Sequence, residues 1–259
     1  MQKMKRKILY IFSVLLIITA IGLFLYPDIS KHIVNEHNKN ISERFDEISE
    51  DYRNGEVKQA EDDGITDVEG YLLDENDNII SDCPVEFVRD IDGLKKDSIS
   101  YNKLLREHQD MDCDFSRAAL DMNDYGIYDG IYGYISAPVI GMNVPVYLGA
   151  DQSNMINGAA HLYNTSLPLG GEDTNAVFAG HTGYFGRTIF DNLPDLKVGD
   201  QVSVTTFFDT LDYRVVSGKE ISATATNDIY IVKGKDLITL ITCASRGKTR
   251  FEVICERVE

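Results

Sequence analysis

"DLITLITC" (236–243) and "RFEVICERV" (250–258) are the last two β-type runs of the chain, and how they lie together decides the reading of everything before them. Period two puts Leu237, Thr239, Ile241 and Cys243 on one face of the first run, with the thiol at its last position. In the second run Cys255 shares a face with Phe251 and Val253, inside the strand, where a cysteine acts as a small buried hydrophobe. Arg250 opens that run, seven residues after Cys243 and across a connection holding Gly247. Antiparallel pairing of the two runs brings thiol and guanidinium to the same end of a sheet. A thiol becomes a useful nucleophile only as thiolate, which calls for a cation or base nearby. On position alone, a structural thiol at Cys243 stays open as the alternative.

The base has to come from five histidines. His32 and His37 lie five apart on a polar stretch, poor spacing for one helix face. His108 ends a charged helical stretch, and His161 in "GAAHL" follows a short helix, where local hydrogen bonds account for it. His181 differs. It stands in "FAGHTGYFG" (178–186), where a β-run breaks into a glycine-rich loop, held by a strand yet exposed at its end as a proton shuttle must be. Arginine keeps its charge at working pH, so Arg250 is a donor to a carbonyl or developing oxyanion and never a base. Arg246 and Lys248 compete for that role; anchoring at a strand start favours Arg250.

Upstream, "YGYISAPVIGMNVPVYLG" (132–149) is rich in β-formers, and "DQSNMINGAAHL" (151–162) reads as a short helix capped at Asp151. Further strands are expected at 175–180, 200–208, 212–222 and 229–232. Many short strands between turn signals indicate a mainly β module, a closed barrel or a sandwich, over residues 125–259. Residues 63–124 read as an N-terminal extension. It holds a small hairpin in "VEGYLLDENDNIISD" (68–82) and a helix in "DSISYNKLLREHQ" (97–109) capped at Asp97 or Ser98. "DENDN" (74–78) is no calcium loop, because Ile79 replaces the turn glycine and Val85 the closing glutamate. Cys83 and Cys113 fall in this extension and either pair with each other or stay free.

Residues 28–62 read as a helical stalk, with Ile29, Ile33, Ile41, Phe45 and Ile48 at roughly helical spacing. Before it, Lys3, Lys5, Arg6 and Lys7 precede 8–26, a stretch without charge that is followed by Pro27. As a helix that stretch spans roughly 30 Å, the thickness of a bilayer's hydrocarbon core. Residues 1–27 are therefore expected to be a cytoplasmic tip and uncleaved membrane anchor, leaving 28–259 outside the cell membrane. A cleavable signal has a shorter apolar region and a small-residue site, which does not follow here. The formal charge of −17 disfavours nucleic acid as a partner.

"TLITC" (239–243), "GHTG" (180–183) and the following Arg250 resemble, in order and context, the thiol, imidazole and guanidinium of the sortases. These are membrane-anchored cysteine transpeptidases of Gram-positive bacteria. The stretches 158–184 and 189–204, with "SYNKLL" (100–105), are most similar to class C, the pilin-polymerising branch. The resemblance covers roughly 97–259 and implies a closed sortase-like β-barrel with short helices. It also implies an LPXTG-type sorting signal cut after its threonine through a thioester acyl-enzyme. The acceptor is then an amine, from a cell-wall precursor or a pilin lysine, and the partners are surface proteins or pilins bearing the signal. Cys243, His181 and Arg250 would be catalytic, Thr242 and Thr182 would contact the peptide, and no metal or organic cofactor is needed. Class C members usually carry an Asp-Pro-aromatic lid; the corresponding region "DMDCDFSRAA" (110–119) has no proline, so Asp112, Asp114 and Phe115 are its lid candidates. The Cys-to-Arg connection is shorter than that class's usual one, and no second apolar helix is written after the last strand. Two other readings remain: a membrane-anchored cysteine peptidase with water as acceptor, and a non-enzymatic anchored β-barrel module.

Overall fold

A computed structural model describes residues 2–54, 65–66, 72–73, 89–110, 113–183, 189–225, 229–244 and 247–258. Eight strands close into a barrel: β3 (Ile131–Ala137), β4 (Met142–Leu148), β5 (Ala159–His161), β6 (Thr174–Gly180), β7 (Gln201–Thr206), β8 (Thr210–Ser222), β9 (Asp236–Ala244) and β10 (Thr249–Arg257). Their order around the barrel is β10-β8-β7-β3-β4-β5-β6-β9. Only the β4–β5 and β6–β9 pairs are parallel. Consequently β3, β6, β8 and β9 all end at the rim where β4, β5, β7 and β10 begin. Alternation fills the interior with Ile135, Phe178, Ile238, Leu240 and Val253, all fully buried. Each such aliphatic side chain contributes roughly 1.5–3 kcal/mol of burial.

Helix α1 (Gln2–Asn54) runs unbroken from the apolar segment through the polar stretch after it. Among the described residues it is the one helix long and apolar enough to cross a membrane. Its C-terminal part is no free stalk. Asn38, Ser42, Phe45 and Ser49 are buried, with Ile41, Ile48 and Tyr52 half-buried beside them. This is the i, i+4, i+7, i+11 stripe of one helix face, and its small polar members let the helix lie close against the barrel. Phe45 packs 4.3 Å from Phe207, ring to ring, and edge-on to Tyr134 at 6.0 Å. Asn143 donates to Ser42 Oγ (2.8 Å) and the Tyr134 hydroxyl to Asp46 (2.9 Å). Ile29 and Ile33, expected on the same stripe, are exposed because no strand lies beside them at that height.

Two other expectations need correction. Helix α2 (Ile91–Glu107) starts six residues before Asp97, because Asp90 caps it by accepting from the Gly93 amide at 2.8 Å and Ile91 and Leu94 are buried. Residues 229–232 form no strand. The Ile231 amide donates to Gln109 (2.9 Å) and the Tyr230 carbonyl accepts from Asn175 (3.1 Å), so side chains take the place of a neighbouring strand. In the extension, β1 (Ile65–Thr66) pairs antiparallel with β2 (Leu72–Leu73). The hairpin expected around 74–78, and Cys83, lie outside the described residues. The short helix capped at Asp151 is present as α3 (Gln152–Asn157), its cap accepting from the Asn154 amide at 3.0 Å.

Candidate active site

β6 and β9 are parallel neighbours with Gly180 opposite Thr242, so the next position on each is His181 and Cys243. On the other side of β9, Arg250 of β10 stands directly opposite Cys243. The backbone positions of His181, Cys243 and Arg250 thus fall in one row across three adjacent strand lines, roughly 10 Å from end to end at the usual inter-strand spacing. The row lies on the outer face, since the alternate positions Leu240, Ile238 and Val253 fill the interior. All three residues are half-buried at the rim.

Local chemistry fixes each position. A side chain at Gly180 would put its Cβ 2.7 Å from the Phe190 ring, so only glycine lets the strand end pass there. Beyond it the Phe190 amide donates to the His181 carbonyl (3.1 Å) and the Gly183 amide to Asp191 (3.0 Å). Gly183 turns the loop with φ of 67°, in the left-handed region. Arg250 donates to the carbonyls of Gly247 (3.3 Å) and Thr249 (3.2 Å). Thr242 is buried on the opposite face from the thiol, and its hydroxyl donates to the Gly180 carbonyl at 2.7 Å. That hydrogen bond ties the two strand ends together. Thr182 follows His181 in the loop and is half-buried.

The outer face continues below the row as an apolar strip. Val177 and Ala179 of β6 and Ile241 of β9 pack with Leu162, Ile229, Ala150 and Phe115. Phe115 therefore lies on the strip that leads to the thiol, held by its carbonyl accepting from the Ala150 amide at 3.0 Å. Asp114 is exposed and turned to Ser116, whose amide and hydroxyl donate to it at 3.0 and 2.7 Å. Those bonds hold its carboxyl below the usual range. Asp112 lies outside the described residues. Cys113 carries no disulfide among the described residues, and burial together with Asp110 raises its thiol. No cluster of metal-ligating side chains occurs among the described residues.

Residues 135–258 match the sortase domain family. Sortase A of Bacillus anthracis is 29% identical over 115 residues, which are 44% of this chain and 53% of that protein. The chain spans about half the length of the curated relatives it matches. Among solved structures, sortase C-1 from Streptococcus pneumoniae is similar with a TM-score of 0.59 at 31% identity, covering 66% of this chain and 90% of that one. Sortase C-1 from Actinomyces oris gives 0.55 at 32% identity, covering 65% and 99%. The chain belongs to the sortase family.

Two residues of this sortase's rim escape a reading of the sequence alone. Glu252 follows Arg250 by one full strand period, so it shares the outer face, and it is buried with Lys219 Nζ 3.6 Å away. Period two applied to 250–258 would have placed it there. Asp191, which accepts from the Gly183 amide in the loop after His181, carries no such signal, because no periodic spacing links the two positions.

Proposed function

We propose that this sortase is a membrane-anchored cysteine transpeptidase that cuts an LPXTG-type sorting signal after its threonine and passes the acyl group to an amine. The row of His181, Cys243 and Arg250 on three adjacent strand lines is the observation that carries this reading. The Cys243 thiolate attacks the threonine carbonyl, and Arg250 donates to the oxygen as it gains negative charge. The C–N bond then breaks, and the imidazolium of His181 gives its proton to the departing nitrogen, leaving a thioester and a neutral imidazole. An incoming amine attacks the thioester, His181 takes the amine's proton, and Cys243 leaves as thiolate. The acceptor is a cell-wall precursor amine or a pilin lysine, and the class C likeness favours pilin. Residues 8–26 hold the chain in the cell membrane with the basic flank inside, because cytoplasmic flanks carry the excess of Lys and Arg. Phe115 acts as a lid over the apolar strip where the signal would lie.

Mass spectrometry of the protein with a peptide library and candidate amines tests this directly. A thioester on Cys243 and an amine-ligated product are expected. Hydrolysis unchanged by any amine would instead make water the acceptor, and a covalent adduct surviving Cys243→Ala would remove the nucleophile assignment.

A further inference from the structure

We infer that the catalytic rim of the barrel faces the bilayer that holds α1, and that Val139 and Val198 rest at its headgroup layer. The inference rests on the anchoring reading above and adds the direction in which the site points. It follows from the order of contacts along α1. Asn35 lines a small cavity with Gly141, Met142, Asn143 and Asn192. Further along, Ser42 meets Asn143, Phe45 meets Phe207, and Tyr52 donates to Asp92 of α2. Met142 begins β4, at the rim where β6 and β9 end, whereas Phe207 follows the end of β7 at the opposite rim. The helix therefore passes the catalytic rim first, and its apolar half projects beyond that rim.

The heights agree. Asn35 comes nine positions after Tyr26, the last of the apolar stretch; as helix those nine steps rise about 13 Å, and tilt of about 20° shortens that slightly. The headgroup layer takes up about 5–8 Å of this rise. The β3–β4 turn, Pro138–Ile140, joins those strands at this rim and presents Val139 with 63% of its surface exposed. The turn before β7 presents Val198, 72% exposed, at the same rim. Two isolated, strongly exposed valines on turns of the one barrel end that α1 overhangs fit a lipid headgroup layer. Peptides and acceptors held at the membrane would then reach Cys243 without passing around the barrel.

The chain contains no tryptophan, which gives a clean probe. The full-length protein is reconstituted into phosphatidylcholine vesicles with and without a nitroxide on the lipid headgroup, as three single variants: Val139→Trp, Val198→Trp and Tyr128→Trp. Tyr128 precedes β3 at the far rim and is 65% exposed. Loss of emission is expected at 139 and 198 and not at 128, with all three proteins floating with the vesicles. Two valine positions are used so that one poorly folding variant does not decide the result. Failure to float would overturn the anchor and this inference with it. Floating protein with 128 quenched as strongly as 139 and 198, or with neither valine position quenched, overturns the orientation while leaving the anchor standing.

Discussion

Cysteine and histidine each occur twice on or beside the barrel strands, once fully buried and once half-buried at the rim. Cys255 points into the core, fully buried, and burial pushes its thiol up to about 12. Cys243 ends β9 on the outer face, half-buried and opposite a guanidinium. His161 is fully buried, its Nε2 within 2.9 Å of the Ser166 carbonyl and 3.1 Å of Thr165 Oγ1. Burial pushes its imidazolium down to about 4, so it stays neutral at working pH. His181 stands one position past β6, in line with Cys243. The same two side-chain types are sealed away or held at the rim according to strand face and strand end, and the fold sets both.

The sharpest way to break this contrast is to exchange the cysteines one at a time. Cys243→Ala is expected to abolish both alkylation by iodoacetamide at neutral pH and formation of any acyl-enzyme. Cys255→Ala is expected to leave both intact and to cost on the order of 1 kcal/mol of stability, read from the urea midpoint. Peptide mapping that finds the label on Cys255 would undo the assignment of faces.

Arg250→Lys comes next in size. Lysine keeps the charge but loses the planar fork and sits as a point charge on a flexible stem. If Arg250 stabilises the oxyanion, kcat/KM falls by roughly 10²–10³-fold, the usual effect of removing one such donor. The loss should fall mainly on kcat, because the interaction strengthens only as charge develops. A rise in KM alone would make Arg250 a binding residue instead.

The candidate row was legible in the sequence because period two is a rigid rule: it fixes which residues share a face and which one ends the strand. Cys243 and Arg250 needed only that rule and antiparallel pairing. The parallel neighbour β6 could be suspected from the glycine-rich break after Gly180, but no spacing in the chain says that β6 lies beside β9. The helices were less legible. Ile29 and Ile33 have the same character and spacing as Ile41 and Phe45, and only the barrel's position decides that the first two are exposed. Asn38, Ser42 and Ser49 look like a solvated face in the sequence, yet they are the face that docks. Residues 229–232 have strand character with no strand to pair with, a fact that belongs to the barrel's closure and not to the segment.

The histidine half of the contrast predicts a pH dependence of folding. The unfolded chain binds a proton on His161 near pH 6.5, while the folded state resists it until about pH 4. Stability is therefore complete above pH 6.5 and is lost as pH falls toward 4, by about 3 kcal/mol at most. Urea midpoints of the wild type and His161→Gln, taken at pH 7 and 4.5, should show the smaller acid loss in the variant. Parallel losses in both would mean that His161 is not held neutral by burial.

The smallest effect is expected at the strip between the two faces' reactive ends. Phe115 is half-buried on Val177, Ala179 and Ile241, on the same outer face as the thiol. Phe115→Ala removes ring contacts from a partly exposed site, so its stability cost belongs at or below the low end of the roughly 3–5 kcal/mol seen for fully buried phenylalanines. If the ring also covers the approach to Cys243, the variant is alkylated several-fold faster and acylated faster by short peptides. Trimming Ile229 to alanine provides the control, since that side chain belongs to the same cluster. Equal acceleration by both variants points to general loosening of the outer face, whereas acceleration by Phe115→Ala alone assigns the cover to that one ring.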